Sequence, residues 1–316
     1  MTLKQLRFLR EIARQSLNMT SAAVALHTSQ PGVSRQLQDL ERELGVELLI
    51  RRKNRVLAFT EAGQAILAAA RRMLNEADNI RLIAEDLRKE RGGRLALATS
   101  HLHARYTLLA PVKAFTRRHP NVQLHLLQAD PDDVPRLIEA NEADVGISTD
   151  VAGAHPALVL LPSGVIQRSV IMPKGHPLAG RKRLALADLA RYPIVGYSAR
   201  SRGGQIIAKA FRDHDLEPHF VVSASDSDVI RAYVEEGLGI AIVPTLAVEG
   251  ISARAHVAEA THLFPRSVTY ISLRRDIHLR RYLTDFIQML VPGLTREAIH
   301  RAMNAHDSGS ADFALS

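Results

Sequence analysis

The stretch TSQPGVSRQLQDLERELGVELLIRRKNR, residues 28–55, joins a helix start, an aliphatic stripe and a basic segment. Ser29 is a good N-cap, Pro31 suits a first helical turn, and Gly45 suits a helix end. Between these signals, apolar residues recur at spacings of four, three and four: Val33, Leu37, Leu40 and Leu44. The spacing predicts a helix that buries one aliphatic face.

The other face of this helix is polar, and Gln30, Ser34 and Arg35 are not needed for packing. Such groups can bond base edges or phosphates, and the N-terminus of a recognition helix is the part that enters the major groove. We predict DNA contacts from the following residues of this region: Thr28, Ser29, Gln30, Pro31, Ser34, Arg35 and Gln38.

Helical patterns also precede this stretch. Apolar residues recur at helical spacing near the start of the chain: Leu3, Leu6, Leu9 and Ile12. A second, short helix over roughly 20–27 is rich in small residues, which let another helix cross closely, and Thr20 or Ser21 is its expected cap.

A basic turn follows the predicted recognition helix. Four cations surround the turn-former Asn54: Arg51, Arg52, Lys53 and Arg55. We predict a hairpin wing that lies on the phosphate backbone, where each neutralised phosphate steepens the salt dependence of binding. Residues 1–60 hold ten Lys and Arg against five Asp and Glu, so +5 of the net charge of +8 lies there. A localised basic excess is typical of a polyanion site, although a solvated charged surface gives the same count.

A long helix is predicted from the Thr60 cap to about residue 90, roughly 45 Å at 1.5 Å per residue. Its apolar residues alternate at spacings of four and three: Ile66, Ala70, Met73, Ala77, Ile80, Ala84 and Leu87. A seam held for about three heptads favours pairing with a second chain, and an amphipathic core helix is the alternative. The RGG at 91–93 ends this helix and marks a domain boundary.

Beyond residue 93, strand-like and helix-like segments alternate as βαβαβ, and a second α/β unit follows. The sequence lacks GxGxxG, GxxxxGKS and GxSxG motifs, so no nucleotide fingerprint or nucleophile elbow is predicted. In two-lobed α/β folds, ligands bind at the carboxyl ends of strands, in the crevice between lobes. Here those ends read TSHLHARY, QAD, STD, YSARSRGG and SASDSDV.

The segments SQPGVSRQLQDLERELGVELLIRR and LAFTEAGQAIL resemble the winged helix-turn-helix of LysR-type transcriptional regulators. The resemblance implies an α/β protein with an N-terminal all-α winged helix-turn-helix and a two-lobed, periplasmic-binding-protein-like effector domain. We therefore expect these domains: a DNA-binding domain 1–59, a dimerisation helix 60–91, lobe I 92–165 plus 267–292, lobe II 166–266, and a tail 293–316.

Four further segments are similar to the CysB/Cbl branch, which regulates sulfur assimilation: ATSHLHARYTLL, EADVGIST, SASDSDVIRAYVEEGLGIAIVP and LTDFIQMLVPGLTREAI. In that branch the pocket binds sulfate, an acylserine or another small sulfur metabolite. The resemblance implies effector contacts at Thr99, Ser100, His101, Leu102, His103, Gln128, Thr149, Ser198 and Arg202. Leu102 and Arg202 replace the usual threonines and His103 replaces a glutamine, so adenylylated sulfate, a sulfonate or an unrelated small anion is also open.

The residues themselves favour an anion. Hydroxyls of Ser100, Thr149 and Ser198 can donate without bringing charge, and Arg202 offers a guanidinium fork that suits an oxyanion. We expect His101 and His103 to titrate near neutrality. For each of these residues, a capping hydroxyl or a solvated side chain is the competing interpretation.

The predicted protein is a cytoplasmic regulator that is not an enzyme. The sequence has no Cys, and its patterns predict no metal site, no cofactor, no signal peptide and no membrane span. Its expected partners are promoter DNA, a small anionic effector, its own copies as a dimer or tetramer, and RNA polymerase. A solute-binding protein, an α/β enzyme and an architectural DNA-binding protein without a ligand are the alternatives.

Overall fold

The computed structural model describes residues 1–52, 55–87 and 92–304, without the side chains of residues 55 and 85–87. They form two compact units. The N-terminal unit is residues 1–87 with Asp276–His278, and the C-terminal unit is the remainder of 92–304. No described helix is long and apolar enough to cross a membrane.

The N-terminal unit packs helices against a two-stranded antiparallel hairpin. Its elements are α1 Leu3–Arg14, α2 Met19–Ala25, α3 Gln30–Leu44, β1 Leu49–Arg52, β2 Arg55–Phe59 and α4 Glu61–Leu87. Leu9, Ile12 and Leu37 are fully buried in its core, as their helical spacing predicts. Gly63 lets α4 pass close to the hairpin, because a Cβ there would lie 2.0 Å from the Leu48 carbonyl oxygen.

The cap signals of α3 are confirmed. The Ser29 Oγ accepts a hydrogen bond from the Gly32 amide at 3.2 Å, and Gly45 ends the helix with a φ of 69°.

The predicted start of α2 is wrong. This helix begins at Met19, and its cap is Asn18, whose Oδ1 accepts from the amides of Thr20 and Ser21, each at 3.0 Å. Asparagine caps helices as well as serine or threonine does, so several neighbouring residues qualified.

The predicted α4 seam divides into two parts. Ile66 and Ala70 pack into the core of their own N-terminal unit, so they are not free to meet a second chain. Met73 and Ile80 are 45% and 63% exposed, and Ala84 is exposed too. Ala77 is half-buried, and the side chain of Leu87 lies outside the described part of the chain. The heptad pattern therefore combines an intrachain stripe with an exposed apolar stripe.

The C-terminal unit holds two lobes. Lobe I contains β3 Gly93–Thr99, α5 His101–Tyr106, α6 Leu109–Arg118, β4 Val122–Gln128, α7 Val134–Glu139, β5 Val145–Thr149, β6 Leu158–Ile166, β12 Ser267–Arg274, α11 Arg281–Leu290 and α12 Arg296–Asn304. Lobe II contains β7 Arg168–Pro173, α8 Leu186–Leu189, β8 Ile194–Tyr197, α9 Arg202–Arg212, β9 Phe220–Ala224, α10 Ser227–Glu235, β10 Ala241–Pro244, the 3-10 helix Thr245–Val248 and β11 Ala255–Glu259. The chain passes between the lobes twice, at Gln167 and between β11 and β12.

The sheet of lobe I has the order β4-β3-β5-β12-β6. The βαβαβ pattern correctly predicted that β3, β4 and β5 are parallel, whereas β12 runs antiparallel to β5 and β6. In lobe II, β8 is parallel to β9, and β7 lies between β10 and β11. This topology brings the carboxyl ends of β3, β4 and β5, at Thr99, Gln128 and Thr149, to one edge of the sheet.

Candidate nucleic-acid interface and ligand cleft

The polar face of α3 protrudes from the N-terminal unit. Gln30, Arg35 and Gln38 are exposed and Ser34 is half-buried, while Val33 on the other face is fully buried. The neighbouring residues Thr28, Ser29 and Pro31 are exposed too. Burial thus assigns packing to one face of α3 and leaves the hydrogen-bonding groups of the other face accessible.

An open concavity of about 690 Å³ lies between α3 and the hairpin. Its lining residues are Met19, Gln30, Pro31, Ser34, Arg35, Gln38, Asp39, Arg42, Arg51 and Val56. Most of these side chains are polar, and three are arginines. The concavity combines hydrogen-bonding groups that suit base edges with cations that suit phosphates.

The arginines of this surface differ in how far their charge is already neutralised. The Arg51 Nη2 lies 2.9 Å from the Glu41 Oε2, and the Glu41 Oε1 also accepts from the Leu48 amide at 2.9 Å. Glu41 therefore fixes the hairpin to α3 and offsets the charge of Arg51. Within the described residues, Arg35 and Arg52 form no ion pair, so their charges remain available. The predicted contacts Lys53 and the side chain of Arg55 lie outside the described residues.

In the C-terminal unit, a polar chain runs through the ends of β3 and β5. The imidazole of His103 is 1% exposed and bonds Thr107 Oγ1 through Nδ1 at 3.0 Å and Thr149 Oγ1 through Nε2 at 2.8 Å. Desolvation by burial lowers the pKa of His103 to about 4. The expectation that this histidine titrates near neutrality is therefore wrong, because burial disfavours the charged imidazole.

Three predicted effector contacts at the ends of β3 and β4 have different environments. Thr99 is fully buried, and its Oγ1 donates to the Ile147 carbonyl at 2.9 Å, so this hydroxyl ties β3 to β5. Ser100 precedes α5 and makes no capping bond through its side chain. Gln128 is exposed in a separate groove of about 430 Å³, shared with α7 residues such as Arg136.

In lobe II, the loop before α9 holds two predicted contacts. The Ser198 Oγ accepts from the Arg200 amide at 3.4 Å. Neither predicted contact caps α9. Its cap is Ser201, whose Oγ accepts a hydrogen bond from the Gly204 amide at 3.1 Å. Arg202 is the exposed first residue of α9, and its side chain forms no hydrogen bond or ion pair with any residue that the structure describes.

A cluster of contacts joins the two lobes. Asp228, near the start of α10 in lobe II, accepts from the His101 Nε2 at 2.9 Å and from the Tyr106 hydroxyl, both on α5 of lobe I. The Arg231 Nη1 also donates to the Tyr106 hydroxyl, at 3.0 Å. Desolvation raises the pKa of Asp228, but the bonds from Tyr106 and His101 outweigh it and lower that pKa overall. We call this set, Asp228 with His101, Tyr106 and Arg231, the interlobe clasp.

One group in the described residues has metal-ligand geometry. Donor atoms of His101, Asp226 and Asp228 lie within 4.8 Å of one another. However, Asp226 caps α10 by accepting from the Val229 amide at 2.9 Å, and both Asp228 oxygens accept bonds within the clasp. These bonds account for the cluster, and we assign no metal to it.

Known protein families match both units. Residues 3–64 match the bacterial regulatory helix-turn-helix protein, lysR family, and residues 88–295 match the LysR substrate binding domain. The chain belongs to the LysR family. It is 41% identical to the transcriptional regulator SsuR of Burkholderia cenocepacia, over 95% of this chain and all of SsuR.

Other LysR regulators are similarly close to this chain. It is 38% identical to CysB of Burkholderia cenocepacia, covering 96% of this chain and 97% of CysB, and 37% identical to Cbl of Escherichia coli over the whole of both. The solved cofactor-binding domain of Cbl superposes with a TM-score of 0.63 at 34% identity, covering 68% of this chain and 96% of that one. The LysR regulator CbnR, solved in complex with its target DNA, shares the fold at 24% identity, with a TM-score of 0.58 over 92% of this chain and 99% of that one.

Family membership confirms several predictions made from the sequence alone. This LysR chain is a DNA-binding transcriptional regulator and not an enzyme, and its relatives lie in the CysB/Cbl branch. Sequence reasoning nevertheless missed the clasp residues Asp228, Tyr106 and Arg231. It named TSHLHARY and SASDSDV only as separate strand ends, because the contacts of Asp228 across the lobes depend on the folded arrangement.

Proposed function

We propose that this LysR protein controls sulfur-metabolism genes in response to a small anionic, sulfur-related effector that binds between the lobes of its C-terminal unit. The observation that carries the proposal is the full-length similarity to SsuR, CysB and Cbl, together with hydroxyl groups at the strand ends of lobe I. The expected effectors are sulfate, adenylylated sulfate, an acylserine or a sulfonate.

DNA recognition is proposed to follow the division of faces on α3. Gln30, Ser34, Arg35 and Gln38 read base edges, because they are accessible at the N-terminal half of the helix. The remaining predicted residues position the protein on the phosphates: Thr28, Ser29, Pro31, Arg51, Arg52, Lys53 and Arg55. Since Arg51 is held by Glu41, Arg52 is expected to contribute more to phosphate binding.

Self-association is proposed through the exposed stripe of α4, centred on Met73 and Ile80. Paired α4 helices would place two DNA-binding domains, residues 1–59, on one pseudo-palindromic operator. The proposed domain organisation continues with the helix 60–91, lobe I in 92–165 plus 267–292, lobe II in 166–266 and the segment 293–316, whose helix α12 packs on β6 and α11 of lobe I. A dimer or tetramer that contacts RNA polymerase in the cytoplasm completes this proposal.

The effector is proposed to accept hydrogen bonds from neutral hydroxyl groups. Ser100 and Thr149 lie at the carboxyl ends of β3 and β5, and Ser198 follows β8 in lobe II. His103 acts behind Thr149, since its ring is buried and both nitrogens are already bonded. A ligand held by both lobes shifts the protein between states only if its affinity for those states differs.

The test is a thermal-shift screen of the full-length protein with sulfate, adenosine phosphosulfate, O-acetylserine, N-acetylserine and short alkanesulfonates. At least one should raise the melting temperature, and the same compound should change the affinity for operator DNA selected by the protein itself. Thr149→Val, which keeps the shape and removes the hydroxyl, should lose that response. If no sulfur compound acts, the sulfur proposal fails, and a response to another small anion would identify a LysR regulator with a different effector.

A further inference from the structure

Arg168 lies where the chain passes between the lobes. It is the first residue of β7, directly after Gln167, and only 6% of it is exposed. Its Nη1 donates to the Pro265 carbonyl at 2.9 Å, and its Nη2 donates to the Ser267 Oγ at 3.1 Å. Pro265 lies in the second passage, between β11 and β12, and Ser267 is the first residue of β12. The guanidinium therefore joins the two interlobe connections.

Within the part of the chain that the structure describes, Arg168 has no acid in direct contact with its guanidinium. It forms no ion pair with any carboxylate of the described residues, and its two hydrogen-bond acceptors are neutral. Burial lowers the pKa of Arg168, while Asp150 and Tyr197 act in the opposite direction, but a guanidinium stays charged in proteins. Asp150 acts without forming an ion pair, so part of the desolvation cost of this buried cation remains, and a bound anion would offset it.

Arg168 also shares a sheet face with Thr149. Its partner Ser267 and Thr269 are two apart on β12, so their side chains project to the same face, roughly 7 Å apart along the strand. The Thr269 Oγ1 lies 3.4 Å from the Thr149 Oγ1, which in turn bonds His103. A row of polar side chains thus leads from the buried imidazole to the buried guanidinium.

Groups of lobe II reach the same region. Tyr197 ends β8, and its hydroxyl bonds the Ser227 Oγ at 2.6 Å at the start of α10. The end of β10 is closer still, because Pro244 is the strand partner of Arg168 in the pairing of β10 with β7. Arg168 therefore lies between the end of β10 in lobe II and the start of β12 in lobe I, in the region between lobes where two-lobed α/β folds bind ligands.

We propose that Arg168 is the cation that binds the oxyanion group of the effector, with the Thr149 hydroxyl as a neutral donor to the same group. The ligand class is a sulfate, sulfonate or carboxylate group whose oxygens accept from the unused N–H groups of the guanidinium. This inference rests on the proposed function, in which an anion binds between the lobes. It replaces Arg202 as the main source of positive charge, because Arg202 is exposed at the start of α9.

The test is calorimetric titration of the full-length protein with sulfate and methanesulfonate, at a constant ionic strength set with chloride. These probes share tetrahedral S–O geometry and differ by one charge. We expect Arg168→Gln to weaken sulfate binding roughly 10- to 100-fold and methanesulfonate binding less. Arg168→Lys, which keeps the charge and loses the fork, should give an intermediate loss. Arg254→Gln removes an exposed charge of lobe II that is already paired with Glu236, and it serves as the control.

The outcomes separate this inference from the proposed function. If the wild type binds neither these probes nor any sulfur anion, both fail together. If the wild type binds and Arg168→Gln keeps its affinity, the inference alone fails. An equal fold loss for both probes would indicate a purely structural role for Arg168 and would also overturn the inference. If Arg168→Gln does not fold, the Arg168→Lys variant is the test. Wild-type affinity in Arg168→Lys would overturn the inference that the guanidinium N–H groups bind the oxyanion.

Discussion

Lowering the pH from 7 to 5 should destabilise the C-terminal unit through His103. Burial leaves the pKa of this histidine at about 4 in the folded state, against 6.5 for an unperturbed imidazole. Between these two values the unfolded chain binds a proton that the folded chain does not. Stability that is fully present above about pH 6.5 is therefore lost as the pH falls towards 4.

The size of the effect follows from the two pKa values. At pH 5 the unfolded imidazole is almost fully protonated and the folded one is mostly neutral, so linkage gives a loss of about 2 kcal/mol relative to pH 7. His103→Gln is the matched variant, because an amide can hydrogen-bond Thr107 and Thr149 but does not titrate. All six tyrosines lie within residues 106–282, so tyrosine fluorescence in urea follows unfolding of the C-terminal unit.

The quantity to measure is the change in unfolding free energy between pH 7 and pH 5, for the wild type and for His103→Gln. The wild type should lose about 2 kcal/mol more than the variant. Groups that titrate in both proteins cancel in this comparison. Equal losses in the two proteins would show that His103 is not a desolvated neutral imidazole, and its assigned role behind Thr149 would fall.

Three further predictions concern the other surfaces. Arg52→Ala should reduce the slope of log K against log salt concentration by about 1 in DNA-binding titrations. Arg51→Ala should change the slope less, because Glu41 already offsets the charge of Arg51. Equal changes in the two variants would contradict this difference between Arg51 and Arg52. Ile80→Glu should weaken self-association by about 2–4 kcal/mol, measured by analytical ultracentrifugation, because apolar burial is lost on two chains. Leu57→Glu, at a similarly exposed residue of the hairpin, is the control and should leave self-association unchanged. An unchanged dissociation constant for Ile80→Glu would exclude the α4 stripe as an interface. Asp228→Asn should speed hydrogen exchange of the α5 amides, because the clasp loses its charged acceptor; unchanged exchange would show that the clasp does not hold the lobes together.

Local signals explain why α3 was predictable from the sequence. Its cap at Ser29, its end at Gly45 and its buried face at Val33 all depend on residues within one helix. The parallel order of β3, β4 and β5 followed from the alternation of strands and helices. The strand β6 was not predicted, because Pro162, Ser163 and Gly164 interrupt its apolar pattern and Gln167 alone separates it from β7.

The site was only partly predictable, because its chemistry depends on contacts between distant residues. Glu41 neutralises Arg51 ten residues away, and the burial of His103 against Thr149 depends on the pairing of strands. Arg168 carried no signal in the sequence, since one arginine within an apolar segment does not show that it lacks an acidic partner. Residue type predicted which groups can bind anions or bases, whereas folding decides which of them remain free.

The accessible face of α3 is proposed to read base edges. The most direct measurement is the affinity of Arg35→Ala for an operator selected by the wild-type protein and for a random duplex of the same length, by fluorescence anisotropy at fixed salt. Loss of a base contact should cost about 1–3 kcal/mol on the operator and clearly less on the random duplex. An equal loss on both duplexes would contradict the claim, because it would reduce Arg35 to a phosphate contact.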